Sequence, residues 1–208
     1  MGVGCLLGGA AVATVNGLQY LRSAVLRAQA RSAWERAPSI PTALVPLDTA
    51  GVRLVGATPR RRPTGASVAR LLIPRIGLDE VVVEGVGARE LSAGPGHLPG
   101  SVLPGEEGNS IISAHRDRHF YRLDRVMVGD TVWTETNHRR VGWKVVARRV
   151  VEREARPLAA AATATLTLTT CWPVRYFGPA PDRLILTALP LGGGELAAVP
   201  PAAERARR

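Results

Sequence analysis

Hydrophobic and polar positions alternate most regularly in Thr165-Leu166-Thr167-Leu168-Thr169, a period of two that suits a pleated, half-buried strand. Threonine and leucine side chains pack well on such a surface. One face carries Leu166, Leu168 and Thr170, and the other carries Thr165, Thr167, Thr169 and Cys171, which leaves the cysteine opposite the leucines and just short of Pro173. A second apolar run, Arg183-Leu184-Ile185-Leu186-Thr187, follows after eleven residues that include Pro173, Pro179 and Pro181. If these strands pair antiparallel, Cys171 and Arg183 lie side by side at one end of a sheet, roughly 5 Å apart. The competing reading of that pair alone is a buried structural cysteine beside a solvated arginine.

Upstream, Val68 to Ile73 and Val81 to Val83 read as strands around a turn at Pro74 to Leu78. Leu91 to Ser110 is too rich in glycine and proline for long elements and reads as a long ordered loop, a feature that usually binds something. Asn109 to Ser113 is a short apolar strand that delivers Ala114-His115-Arg116-Asp117 at its end. Phe120, Leu123 and Val126 have helical spacing over one or two turns. Asp130 to Thr136 and Val141 to Val151 alternate as two further strands about a hairpin turn at Asn137 to Arg140. Seven or eight short strands with small helical inserts predict an all-β barrel or sandwich.

The N-terminal pattern differs. Met1 to Leu21 carries no charged side chain, and about 20 apolar residues cross a bilayer, so residues 1–21 are expected to form a membrane anchor. Five glycines and Asn16 dilute that run, and no basic residue precedes it. Leu18, Leu21, Val25 and Ala28 then recur at helical intervals, which predicts a helix to about Arg36 with those residues on its packing face. Pro38 ends it. From there to Gly65 the proline-rich chain with Arg60-Arg61-Arg62 reads as a tether, so 22–66 is helix plus linker. The globular domain is expected over 67–190, and 191–208 as a tail without periodicity.

Composition adds a net charge of +10, but Lys144 is the only lysine among 27 basic residues and the arginines are scattered. That distribution favours an anionic envelope or membrane surface and gives no nucleic-acid footprint. The two cysteines, Cys5 and Cys171, form no CxxC pair and are expected to be free thiols. No metal or other cofactor is expected, and the sequence is silent on calcium.

A free thiol is only a few per cent ionised at pH 7, so a cysteine nucleophile needs a base. Of the four histidines, His115 ranks first because a strand end positions it; His119 is the reserve, His97 lies in the long loop and His138 in a hairpin turn. A guanidinium cannot act as that base but can donate to a developing oxyanion. Cys171, His115 and Arg183 at three strand ends therefore fit acyl transfer through a thioester.

Thr167-Leu168-Thr169-Thr170-Cys171 resembles the TLxTC motif of the sortases, with an arginine one short loop later and a similar histidine segment at Ser113 to Phe120. The resemblance covers about Ser67 to Pro190. It implies a closed eight-stranded β-barrel and a membrane-attached cysteine transpeptidase, with Cys171 as nucleophile, His115 as general acid and base, and Arg183 as stabiliser of the oxyanion or substrate carbonyl. Thr170 and Trp172 would shape the oxyanion and substrate site. The expected partners are an exported protein with a C-terminal LPxTG-like signal and an amine acceptor in the envelope. The expected location is the cytoplasmic membrane, with the catalytic domain extracytoplasmic. Gly94-Pro95-Gly96-His97, Pro104-Gly105, Gly108-Asn109 and Trp34 look most like the Gram-negative sortase class, called GN, with class D the close alternative. Other readings are a cysteine hydrolase or cell-wall transpeptidase of another type, whose SHGC-like sequence is absent, and a catalytically silent tethered binding module.

Overall fold

The computed structural model describes residues 2–37, 62–137, 139–153 and 161–191, with the backbone alone for 2–13, 15 and 16. Residues 38–61 of the expected tether, the hairpin residue His138 and nearly all of the expected tail lie outside the described residues.

Eight strands close into a barrel. They are β1 (Ser67–Ile73), β2 (Leu78–Glu84), β3 (Gly96–His97), β4 (Asn109–Ser113), β5 (Thr131–Glu135), β6 (Arg140–Glu152), β7 (Thr165–Trp172) and β8 (Asp182–Pro190). Round the barrel the order is β1-β2-β3-β4-β7-β8-β6-β5, and β5 returns to β1. The pairs are antiparallel except β2 with β3 and β4 with β7, which run parallel.

Alternation builds the core. Leu71 and Ile73 of β1, Val82 of β2, Leu166 and Leu168 of β7, and Leu184 and Leu186 of β8 all point inward and are fully buried, with Trp143, Phe120 and Leu123 filling the space between them. Each such side chain contributes about 1.5 to 3 kcal/mol through removal from water. The one polar atom of Trp143 is satisfied, since its indole N–H donates to Thr134 Oγ1 at 2.7 Å.

The stretch Leu91 to Ser110 holds more order than its composition predicts. Helix α2 (Ala88–Ala93) enters it, and Gly96 and His97 form β3 between β2 and β4. Gly96 is needed there because a Cβ would stand 2.2 Å from the Gly85 carbonyl oxygen.

Helix α1 (Gly2–Arg36) runs to the predicted end but packs through a different face. Leu18, Leu21 and Val25 are 51%, 66% and 55% exposed, and Ala28 is exposed as well. Ser23, Ala30 and Trp34 are buried instead, with Leu26 half-buried between them. Trp34 and Ala30 rest on Val81 and Val83, the outward residues of β2. Two hydrogen bonds fix this choice: Ser67 Oγ donates to the Ala30 carbonyl at 2.9 Å, and Arg118 donates to Ser23 Oγ at 2.7 Å. No helix among the described residues is long and apolar enough to cross a membrane, so the expected anchor at 1–21 gains no support. The glycines and Asn16 account for the low hydropathy.

Candidate active site

Antiparallel pairing of β7 with β8 places Cys171 opposite Arg183 and Trp172 opposite Asp182. The alternation read from sequence sets this register, because Leu168 and Leu186 must both face the core. Cys171 is a free, half-buried thiol, and Arg183 Nη1 donates a hydrogen bond to its Sγ.

The parallel pairing of β4 with β7 supplies the third group. In parallel strands both C-terminal ends lie at the same rim, and Ser113 pairs with Thr169. Two residues further along each strand stand His115 and Cys171, on neighbours spaced about 4.8 Å apart. Beyond β4 the register is held by two bonds. Ala114 N–H donates to the Thr169 carbonyl at 3.2 Å, and the buried Thr170 hydroxyl donates to the Ala114 carbonyl at 2.8 Å. After His115 the chain turns sharply: the His115 carbonyl accepts from the N–H groups of Arg118 and Phe120 at 3.3 and 3.1 Å, and the fully buried Phe120 pins the turn to the core.

Burial holds the half-buried His115 below the usual histidine range; the nearby Asp117 carboxylate opposes this, and Arg118 and His119 reinforce it. An imidazole so placed is neutral at pH 7 and able to accept a proton.

The other histidines are placed differently. His97 is fully buried, with Nδ1 at 2.8 Å from Glu84 and Nε2 at 2.9 Å from both the Val102 carbonyl and Ser101 Oγ. His119 is buried behind the rim, 3.3 Å from Glu80. Both positions suit structural histidines. Trp172 is half-buried at the core margin, with the Arg148 guanidinium 5.3 Å from its ring centroid. Among the described residues no three His, Cys, Asp or Glu side chains converge as a metal-ligand set.

The sequence pattern did not single out Asp117 and Arg118, which set the electrostatics of His115. Their only signal was adjacency to the histidine.

A small closed barrel with a thiol, a guanidinium and an imidazole at one rim is the arrangement of a cysteine acyltransferase. Residues 71–191, more than half of the chain, match the sortase domain, and the chain belongs to the sortase family. It is 32% identical over 125 residues to sortase D of Bacillus subtilis, a match that covers 59% of this chain and 63% of that protein, just under two thirds of its length. Among solved structures it is similar to the sortase D5 transpeptidase of Clostridium perfringens, with 26% identity, a TM-score of 0.57, and coverage of 62% of this chain and 82% of the other. It is also similar to a Clostridium perfringens sortase C solved with the C-terminal cell wall sorting motif, with 25% identity, a TM-score of 0.55, and coverage of 62% of this chain and 72% of the other. These three relatives carry class D and class C names, and none of them carries the GN name.

Proposed function

We propose that the chain is a cysteine transpeptidase that cleaves an LPxTG-like sorting signal and transfers the protein to an amine. The observation that carries this reading is the in-register pair of Cys171 and Arg183, with the guanidinium on the sulfur and His115 two residues past the end of the neighbouring parallel strand. In this reading Cys171 Sγ gives its proton to His115 and attacks the scissile carbonyl carbon. Arg183 shifts its donor to the carbonyl oxygen as charge develops there. The tetrahedral centre collapses to a thioester as the C–N bond breaks, and the leaving amine takes the proton from His115. An acceptor amine then gives a proton to His115 and attacks the thioester; the C–S bond breaks, the new amide bond forms, and Cys171 takes that proton back as it leaves.

Thr170 has its hydroxyl committed to Ala114, which suits holding His115 beside β7 better than contacting an oxyanion. Trp172 and the loop after it would wall the peptide groove. The Clostridium perfringens sortase C solved with the C-terminal cell wall sorting motif supports a sorting-signal substrate, and the B. subtilis relative favours class D. Work at the outer side of the cytoplasmic membrane belongs to the same reading, supported by the net charge of +10, which suits an anionic surface.

The test is turnover of a fluorogenic LPxTG peptide with and without an added amine. Cys171→Ala is expected to abolish it, and Arg183→Ala to lower it by about 10² to 10³. Unchanged turnover in either variant refutes the assignment, and hydrolysis unaffected by amine refutes transfer.

A further inference from the structure

The loop from Pro173 to Pro181, between the two strands that carry Cys171 and Arg183, has little to hold it. Among the described residues no backbone hydrogen bond closes it internally, and its anchors are the buried Val174 and Ala180 and, at its far end, the Pro181 carbonyl, which accepts from the Arg153 N–H at 3.2 Å. Arg175, Tyr176, Phe177, Gly178 and Pro179 are exposed, Phe177 completely so at 104%. A loop of that kind is expected to open easily.

One side chain from elsewhere spans it. Arg116 Nη1 donates to the Pro173 carbonyl at 3.1 Å and to the Tyr176 carbonyl at 2.8 Å, and Nη2 donates to the Gly178 carbonyl at 2.6 Å. The guanidinium carbon also stands 5.8 Å from the Tyr176 ring centroid. All three hydrogen-bond acceptors are backbone oxygens, so the clamp follows mainly the path of the loop, with the Tyr176 ring as its one side-chain contact. The planar fork of arginine suits three spread acceptors, where an ammonium would favour a tighter cluster.

Arg116 follows His115 directly. We propose that Arg116 is a positioning residue that holds the β7–β8 loop as a fixed wall beside Cys171 and ties that wall to the segment bearing His115, so that one side chain sets both borders of the peptide groove. Its part is geometric: the lowered pKa of His115 traces to burial, opposed by Asp117 and reinforced by Arg118 and His119. With the wall fixed, Tyr176 and Phe177 form an aromatic rim to the groove, suited to an apolar side chain of a bound peptide. The groove's occupant rests on the transpeptidase reading, whereas the clamp itself does not.

The test uses the full chain as wild type, Arg116→Gln and Arg116→Lys, each checked for fold by circular dichroism. Trypsin cleavage at Arg175–Tyr176, followed by mass spectrometry, reads the loop directly. It is expected to be about tenfold faster in Arg116→Gln, with Arg116→Lys intermediate, as local opening is freed. Equal cleavage rates in wild type and Arg116→Gln overturn the clamp. In peptide turnover the glutamine variant is expected to show a KM raised about fivefold or more at an unchanged histidine limb of the pH profile, as lost groove contacts act mainly on binding. A loss of active fraction at unchanged KM overturns the positioning role. An inactive wild type removes the transpeptidase reading, and the trypsin result still decides the clamp.

Discussion

His115 concentrates the residue-scale chemistry. Its burial penalises the charged form, so its pKa lies below the ordinary 6.5, with Asp117 pulling it up and Arg118 pushing it down. Stability is linked to pH accordingly: below 6.5 the unfolded chain binds a proton that the folded one resists, so stability is full above that value and falls as pH drops through the depressed one. Arg118→Gln is expected to raise the imidazole pKa toward 6.5 and Asp117→Asn to lower it further. A titration of the imidazole by NMR checks this; shifts of the same sign in both variants contradict it. Thr170→Val keeps the side-chain shape but strands the Ala114 carbonyl, which costs about 1 to 3 kcal/mol in urea unfolding. The meeting of Cys171 with Arg183 was legible because alternation and a hairpin suffice to set register. The Thr170 bond was not legible, since its acceptor lies 56 residues away on a strand that only the closed barrel brings alongside.

Among the elements, α1 shows where periodicity runs out. Its sequence offers two stripes at helical spacing, and the more apolar one, Leu18, Leu21 and Val25, faces away from the barrel. The docked stripe was chosen by partners that the helix pattern does not contain: the outward valines of β2, the Ser67 hydroxyl and the Arg118 guanidinium. Trp34→Ala is therefore expected to cost about 3 kcal/mol, and Leu21→Ala less than about 0.5 kcal/mol. Equilibrium urea unfolding of the two variants distinguishes the faces, and the reverse order rules out this docking. The same contact explains why β2 reads as the unbroken run Val81-Val82-Val83. Val82 faces the core and its neighbours face α1, so the strand is covered on both sides. Two-residue β3 was hidden for the opposite reason, being too short to carry any period.

At the scale of the whole molecule the barrel was predictable from seven or eight short alternating strands, whereas its closure order was not. Nothing in the local pattern says that β4 skips two strands to pair with β7, yet that parallel pairing is what puts His115 and Cys171 at one rim. The net charge of +10 also acts at this scale. The chain is expected to bind vesicles of anionic phosphatidylglycerol in dilute buffer and to release them by about 0.5 M salt, where screening shortens to a few ångströms. Sedimentation with neutral vesicles as reference checks it, and equal binding to both rules out an electrostatic contribution.

The pairing of β4 with β7 also has a consequence in time. It joins segments separated along the chain by all of β5 and β6, and contacts of such long separation form slowly. Until that seam closes, the thiol and the imidazole ride on parts of the chain that move independently. Competence should then arrive as a step, with thiol-dependent turnover lagging behind strand content during refolding. Closure of that seam acts as a safety catch, and a molecule in which it is open carries its nucleophile without the means to fire it.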